Sequence, residues 1–176
     1  MEEFILKDGR KVLIRQLKAA DVDAAERYLA KMSTENVFTN QYPGRPFDRE
    51  RSIRLYEYEY NLFLGAFEEN GDLVAICTIL IDKPDHPWVC KNSTFGISML
   101  KEYYGQGLGT HLMQLMEDWA KKHHLHTIKG EVRATNRRAI NLYLKQGFEI
   151  CGHLKETALI DNVWHDEYII QKIIKE

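Results

Sequence analysis

The stretch Glu102–Met113 reads EYYGQGLGTHLM, with Gly105, Gly107 and Gly109 at every second position and an apolar, helix-spaced run directly after them. Glycine inside a regular element costs about 0.5–1 kcal/mol against alanine. Three so close together mark either a tight strand-to-helix turn or a place where a ligand must approach bare backbone. The first N–H groups of a helix have no intrahelical partner and sit at the positive end of its dipole, so the ligand that suits such a turn is a phosphate. Two phosphate loops do not fit. A P-loop ends in Gly-Lys-Ser/Thr, whereas Gly109 is followed by Thr110 and His111. A dinucleotide fingerprint needs a glycine where Thr110 stands and an acidic residue ending a following strand.

Working outward, STFGISML before the turn reads as a strand, and Leu108, Leu112, Leu115, Met116 and Trp119 after it share one helical stripe. FILK and RKVLIRQL flank Asp8-Gly9, a strong hairpin signal. AADVDAAERYLAKM carries helical spacing through Tyr28 and Met32. The segment Ser33–Arg49, with Pro43, Gly44 and Pro46, is long for a connection within a domain, and such loops often carry function. A helical piece near Asp48–Tyr56 precedes NLFLGAF and LVAICTILI, a second hairpin around EENGD. HTIKGEVRA reads as a strand. NRRAINLYLKQG reads as a short helix with Thr135 or Asn136 at its start and Gly147 just past its end, Tyr143 lying one turn beyond Ala139 on the inward face beside Ile140 and Leu144. FEICGHLKETALI and VWHDEYIIQKII close the chain as long strands around Asp161-Asn162. The pattern predicts one α/β domain over residues 1–176, a mixed sheet of about seven strands with helices on both faces.

Composition narrows the function. Of 176 residues, 44% are hydrophobic and 28% charged, an ordinary globular balance. A formal charge of −2 leaves no basic footprint for nucleic acid. No apolar run reaches the roughly 18 residues of a membrane span, and MEEFILKDGRK does not read as a signal peptide. Cys77, Cys90 and Cys151 are odd in number and have neither CxxC nor zinc spacing, which predicts buried free thiols in a reducing cytoplasm.

A third phosphate-binding pattern does fit. The strand STFGISML, the turn YGQGLG and the long helix after it resemble the pyrophosphate-binding motif Q/R-x-x-G-x-G/A of the GNAT superfamily of N-acetyltransferases. EVRATNRRAINLYLKQGFEICG resembles that superfamily's C-terminal block, with Asn136, Ala139 and Tyr143 ahead of K-x-G-F. The resemblance runs from about Arg10 to Lys172. It implies a twisted, mostly antiparallel GNAT-like sheet and acetyl-CoA as co-substrate, with no metal. The chain departs from the motif at its first position, where Tyr104 replaces the usual Gln or Arg.

The resemblance also implies roles. Backbone N–H groups from Gly105 through Gln106, Gly107, Leu108 and Gly109 to Thr110 would hold the pyrophosphate. Ile97 and Met99 would pair with the pantetheine arm, and the N–H near Met99 would face the thioester oxygen. Asn136 and Ala139 would contact the coenzyme. Tyr143 would protonate the departing thiolate as general acid. Acetyl transfer also needs a base for the amine proton. Ser93, Thr94 and Phe95 stand where relatives often carry a strand Glu, so a water chain or a carboxylate from elsewhere would take it.

Other clusters read more plainly. His123, His124 and His126 lack a Cys or carboxylate at ligand spacing and read as a solvated helix end. RLYEYEYNLF reads as a half-packed edge, with Glu57 or Glu59 beside Tyr56 and Tyr58 as an alternative holder for a cationic amine. His165, Asp166 and Glu167 are similar candidates. Within the superfamily the chain resembles the bacterial branch that acetylates small amines or the N-termini of ribosomal proteins. A competing expectation is an acyl-CoA-binding regulatory module without turnover. A homo-oligomer is compatible with either.

Overall fold

A computed structural model describes residues 1–81 and 83–175. The chain divides into two compact units, one of Met1–Leu80 with Gly96–Met116, the other of Ile81–Phe95 with Glu117–Glu176.

In the first unit, strands β1 (Glu2–Ile5) and β2 (Lys11–Gln16) form the hairpin around Asp8-Gly9, with Gly9 at φ 89°. β2 pairs antiparallel with β3 (Leu62–Phe67), and β3 with β4 (Leu73–Leu80) across the second turn, where Gly71 sits at φ 86°. Such angles suit residues without a Cβ, which is why these turns were legible. The C-terminal half of β5 (Asn92–Met99) follows β4, where Leu100 N–H donates to Val74 O at 3.0 Å. Helix α1 (Val22–Glu35) buries Val22, Ala25, Tyr28 and Met32 at helical spacing. Helix α2 (Arg49–Glu57) starts at Asp48, whose carboxylate caps Arg51 N–H at 2.9 Å. Arg49 then pairs with Asp23 and Glu26 of α1. Helix α3 (Leu108–Lys122) begins here, with Leu108 and Leu112 fully buried.

In the second unit the order is β5, β6 (Thr127–Arg133), β8 (Val163–Ile173), β7 (Glu149–Ile160). β5 and β6 are parallel; the other pairs are antiparallel. Gly130 is required by packing: a Cβ there would stand 2.6 Å from the Phe95 ring. Helix α4 (Arg137–Lys145) has Asn136 as N-cap, its side chain accepting from Ala139 N–H at 3.2 Å. Gly147 follows at φ 81°. Asp161 and Asn162 turn the last hairpin at φ 50° and 60°.

β7 is interrupted twice. Cys151 bulges between Ile150 and Gly152, and Lys155, Glu156 and Thr157 together oppose Asp166. Asp166 fills the second gap by accepting from Glu156 N–H at 2.9 Å and meeting His153 Nε2 at 2.7 Å.

Among the described residues the two units hold eight strands, where the pattern predicted about seven. Three local expectations are corrected. Only Cys77 is a buried thiol; Cys90 is half-buried and Cys151 exposed, because it lies in the bulge. Leu144, expected inward beside Tyr143, is 46% exposed; α4 buries Tyr143 and half-buries Ala139, Ile140 and Leu142. On α3 the fully buried side chains are Leu108, Leu112, Met113, Met116 and Ala120, with Leu115 and Trp119 only partly covered.

Candidate active site

The glycine turn opens α3 as its spacing predicts. Gly105 and Gly107 lie at φ 76° and 89°, where a branched side chain is strained. Gly107 is the N-cap: its carbonyl accepts His111 N–H at 3.1 Å. A serine or aspartate in this position would turn its own oxygen onto the next free N–H groups. A glycine cannot, so the N–H groups of Leu108, Gly109 and Thr110 keep the first-turn geometry that receives an anion. Leu108 is fully buried and anchors the turn, while Gly105 is exposed. Tyr104 is half-buried, and its N–H donates to Lys101 O at 3.0 Å at the end of a short 3-10 turn.

The turn is held from several sides. Gln106 Oε1 accepts from Asp8 N–H at 3.1 Å. Tyr103 is buried, its hydroxyl bonded to Glu68 and its ring 4.6 Å under the Arg10 guanidinium. Burial pushes the Tyr103 phenol well above its ordinary range, and the Glu68 hydrogen bond adds to the rise.

β5 supplies the second element. Its ladder with β6 runs from Asn92↔Thr127 to Thr94↔Lys129, and no later pair is formed among the described residues although β5 continues to Met99. Ile97 and Met99 are half-buried on that continuation. Between them Ser98 Oγ lies 2.8 Å from the hydroxyl of Tyr28, whose burial raises its pKa far above the ordinary phenol range.

In the second unit, Tyr143 is 7% exposed and meets Phe95 edge to face at 5.3 Å. Phe148 N–H donates to Tyr143 O at 3.0 Å. Asn136 is half-buried; with its oxygen engaged by Ala139 N–H, its amide NH2 remains as donor.

Of the other candidates, Tyr56 is buried against Phe63, with ring centroids 5.0 Å apart, as a packed edge requires, whereas Glu57, Tyr58 and Glu59 are exposed. Glu167 pairs with buried Arg133 and accepts from Thr157 at 2.8 Å, and Asp166 is spent on the β7 bulge. His123 stacks on Trp119 at 3.7 Å. Among the described residues no group of three His, Cys, Asp or Glu side chains is placed to hold a metal, and no helix is long and apolar enough to cross a membrane.

A profile of the acetyltransferase (GNAT) family matches residues 28–148. An N-alpha-acetyltransferase of Sulfurisphaera tokodaii is 30% identical over 156 residues, 85% of this chain and 87% of that protein. The structure of a GNAT-family acetyltransferase from Streptococcus pneumoniae superposes with a TM-score of 0.84 at 26% identity, covering 93% and 99% of the two chains. A phosphinothricin acetyltransferase from Sinorhizobium meliloti, solved with acetyl-CoA, shares the fold at a TM-score of 0.79 and 18% identity over 93% and 88%. The chain belongs to the GNAT acetyltransferases, enzymes that draw their acetyl group from acetyl-CoA.

Proposed function

We propose that residues 1–176 act as one N-acetyltransferase domain that moves the acetyl group of acetyl-CoA to a primary amine by direct attack. The observation that carries the coenzyme half of this reading is Gly107 as N-cap, which leaves the first donors of α3 open to a diphosphate. In this reading Gly105 to Thr110 hold the diphosphate and Ile97 and Met99 line the pantetheine arm. A main-chain N–H near Met99 stabilises the carbonyl oxygen as it gains charge. The amine nitrogen attacks the carbonyl carbon, the tetrahedral intermediate expels the thiolate, and Tyr143 gives it a proton while water removes the amine's. Asn136 and Ala139 position the arm. The similarity to an N-alpha-acetyltransferase favours a protein N-terminus as acceptor, with small amines as the alternative. The free thiols suit a cytoplasmic enzyme.

Free thiol release from acetyl-CoA, followed across N-terminal peptides and small amines, tests the reading. Turnover with any of them supports it. Tight coenzyme binding without thiol release would instead mark an acyl-CoA-binding module.

A further inference from the structure

The hairpin β1–β2 closes on the glycine turn although no motif links the two. Phe4 stacks on His111 with ring centroids 4.5 Å apart, Glu2 bonds His111 Nε2, and Asp8 N–H reaches Gln106. Lys7 stands between these anchors. A Cβ built on Gly107 would meet the Phe4 ring at 3.5 Å and Lys7 Cε at 4.0 Å. The Lys7 ammonium is one bond beyond that carbon.

Four cations decorate the hairpin, and three are engaged. Arg10 pairs with Asp8 at 2.8 Å, Lys11 with Glu3 at 2.9 Å and Arg15 with Asp21 at 2.7 Å. Lys7 forms no ion pair among the described residues. Of the carboxylates nearest the turn, Asp8 is paired with Arg10 and Glu2 is hydrogen-bonded to His111 Nε2. Lys7 thus brings a cation without an ion pair to the side of the N-cap.

We infer that Lys7 is a ligand of the coenzyme's diphosphate, supplying from the β1–β2 hairpin the polar contact that Tyr104 does not. This rests on the glycine turn being the diphosphate cradle. An ammonium is a compact charge with three rotatable donors on a flexible stem, able to follow phosphate oxygens seated on the α3 N–H groups. Phe4 and Asp8 fix the strand and turn from which it reaches.

The test is titration of Lys7→Met and Lys7→Arg with coenzyme A, dephospho-coenzyme A and S-acetylpantetheine, which lacks every phosphate. Lys7→Met should bind coenzyme A about tenfold more weakly, the order of a solvent-screened charge-assisted hydrogen bond, and Lys7→Arg should recover most of this. The loss should persist with dephospho-coenzyme A, shrink as salt is raised and vanish with S-acetylpantetheine. Unchanged affinity in Lys7→Met, or a loss confined to the ligand bearing the 3′-phosphate, would overturn the assignment. If the wild-type chain binds coenzyme A no tighter than S-acetylpantetheine, the cradle itself fails and the inference falls with it. A wild type that prefers coenzyme A, beside an unaltered Lys7→Met, sinks Lys7 alone.

Discussion

The Phe95 ring stands almost perpendicular to that of Tyr143, at 88° and 5.3 Å between centroids. The same Phe95 ring fills the space above Gly130 that any side chain there would claim. The packing of Tyr143 thus involves its ring, whereas the general-acid role proposed for it would involve its hydroxyl.

Tyr143→Phe separates the two. The ring contacts with Phe95 and Phe148 survive, so thermal stability and coenzyme affinity should hold near wild-type values. General acid catalysis is worth on the order of 10²–10⁴ in rate, and kcat should fall within that range. Single-turnover acetyl transfer to an accepted amine measures the chemical step directly. An unaltered step would make Tyr143 a packing residue.

Gly107 and Gly105 offer a matched pair. Both have positive φ, but a Cβ on Gly105 meets nothing within 4 Å, whereas one on Gly107 meets Phe4. Gly107→Val should abolish coenzyme A binding, through strain of about 1–3 kcal/mol and through bulk beside the open N–H groups. Gly105→Asn should fold and keep binding within about tenfold, because Asn tolerates this backbone region. Calorimetry on the two folded variants decides, and equal losses would contradict the N-cap assignment.

Tyr104 occupies the motif's first position without its usual chemistry. If backbone donors carry the diphosphate, Tyr104→Ala should weaken coenzyme A by no more than about tenfold, roughly 1.4 kcal/mol. A loss of a hundredfold would show that the phenol is itself a ligand.

Asp21 gives a pH signature of folding. Both its oxygens lie 2.7 Å from the Arg15 guanidinium, and one also accepts Lys18 N–H at 2.8 Å. Arg15, then the Lys18 N–H, hold its carboxyl below the ordinary 3.8. The unfolded chain takes up the proton first as pH falls. The stabilisation is therefore complete well above pH 3.8 and is lost as pH drops through the folded value below it. Asp21→Asn should lower stability at neutral pH by about 1–3 kcal/mol and flatten its decline under acid. Urea midpoints at several pH values measure both.

Where local chemistry dictates geometry, the sequence was readable. Asp8-Gly9, Gly71 and Asp161-Asn162 sit at turns that need positive φ, and Asp48 and Asn136 cap the helices they precede. The glycine turn belongs to this class. What stayed hidden depends on partners far along the chain. Nothing near Lys155-Glu156-Thr157 announces a bulge, because the group that stabilises it is the Asp166 carboxylate on the neighbouring strand. The occupation of Glu167 by Arg133 is 34 residues distant in sequence, and the Glu2 bond to His111 spans 109. The approach of Lys7 to Gly107 is of the same kind, invisible until β1 and α3 are placed together.

The break in β7 also bears on how the edge of its sheet meets foreign strands. β7 ends the strand order of its unit, so among the described residues one of its edges has no neighbouring strand. It carries exposed apolar side chains at Ile150 and Leu159, and Val163 and Trp164 lie across the turn. An unbroken edge of that composition would template a foreign strand and seed aggregates. With Cys151 and then Lys155–Thr157 pushed out of register, the run of evenly spaced donors and acceptors is cut into short pieces. Two of the three residues in the larger break, Lys155 and Glu156, are charged. The same Asp166 carboxylate that steadies the irregularity thereby guards the sheet against unwanted growth.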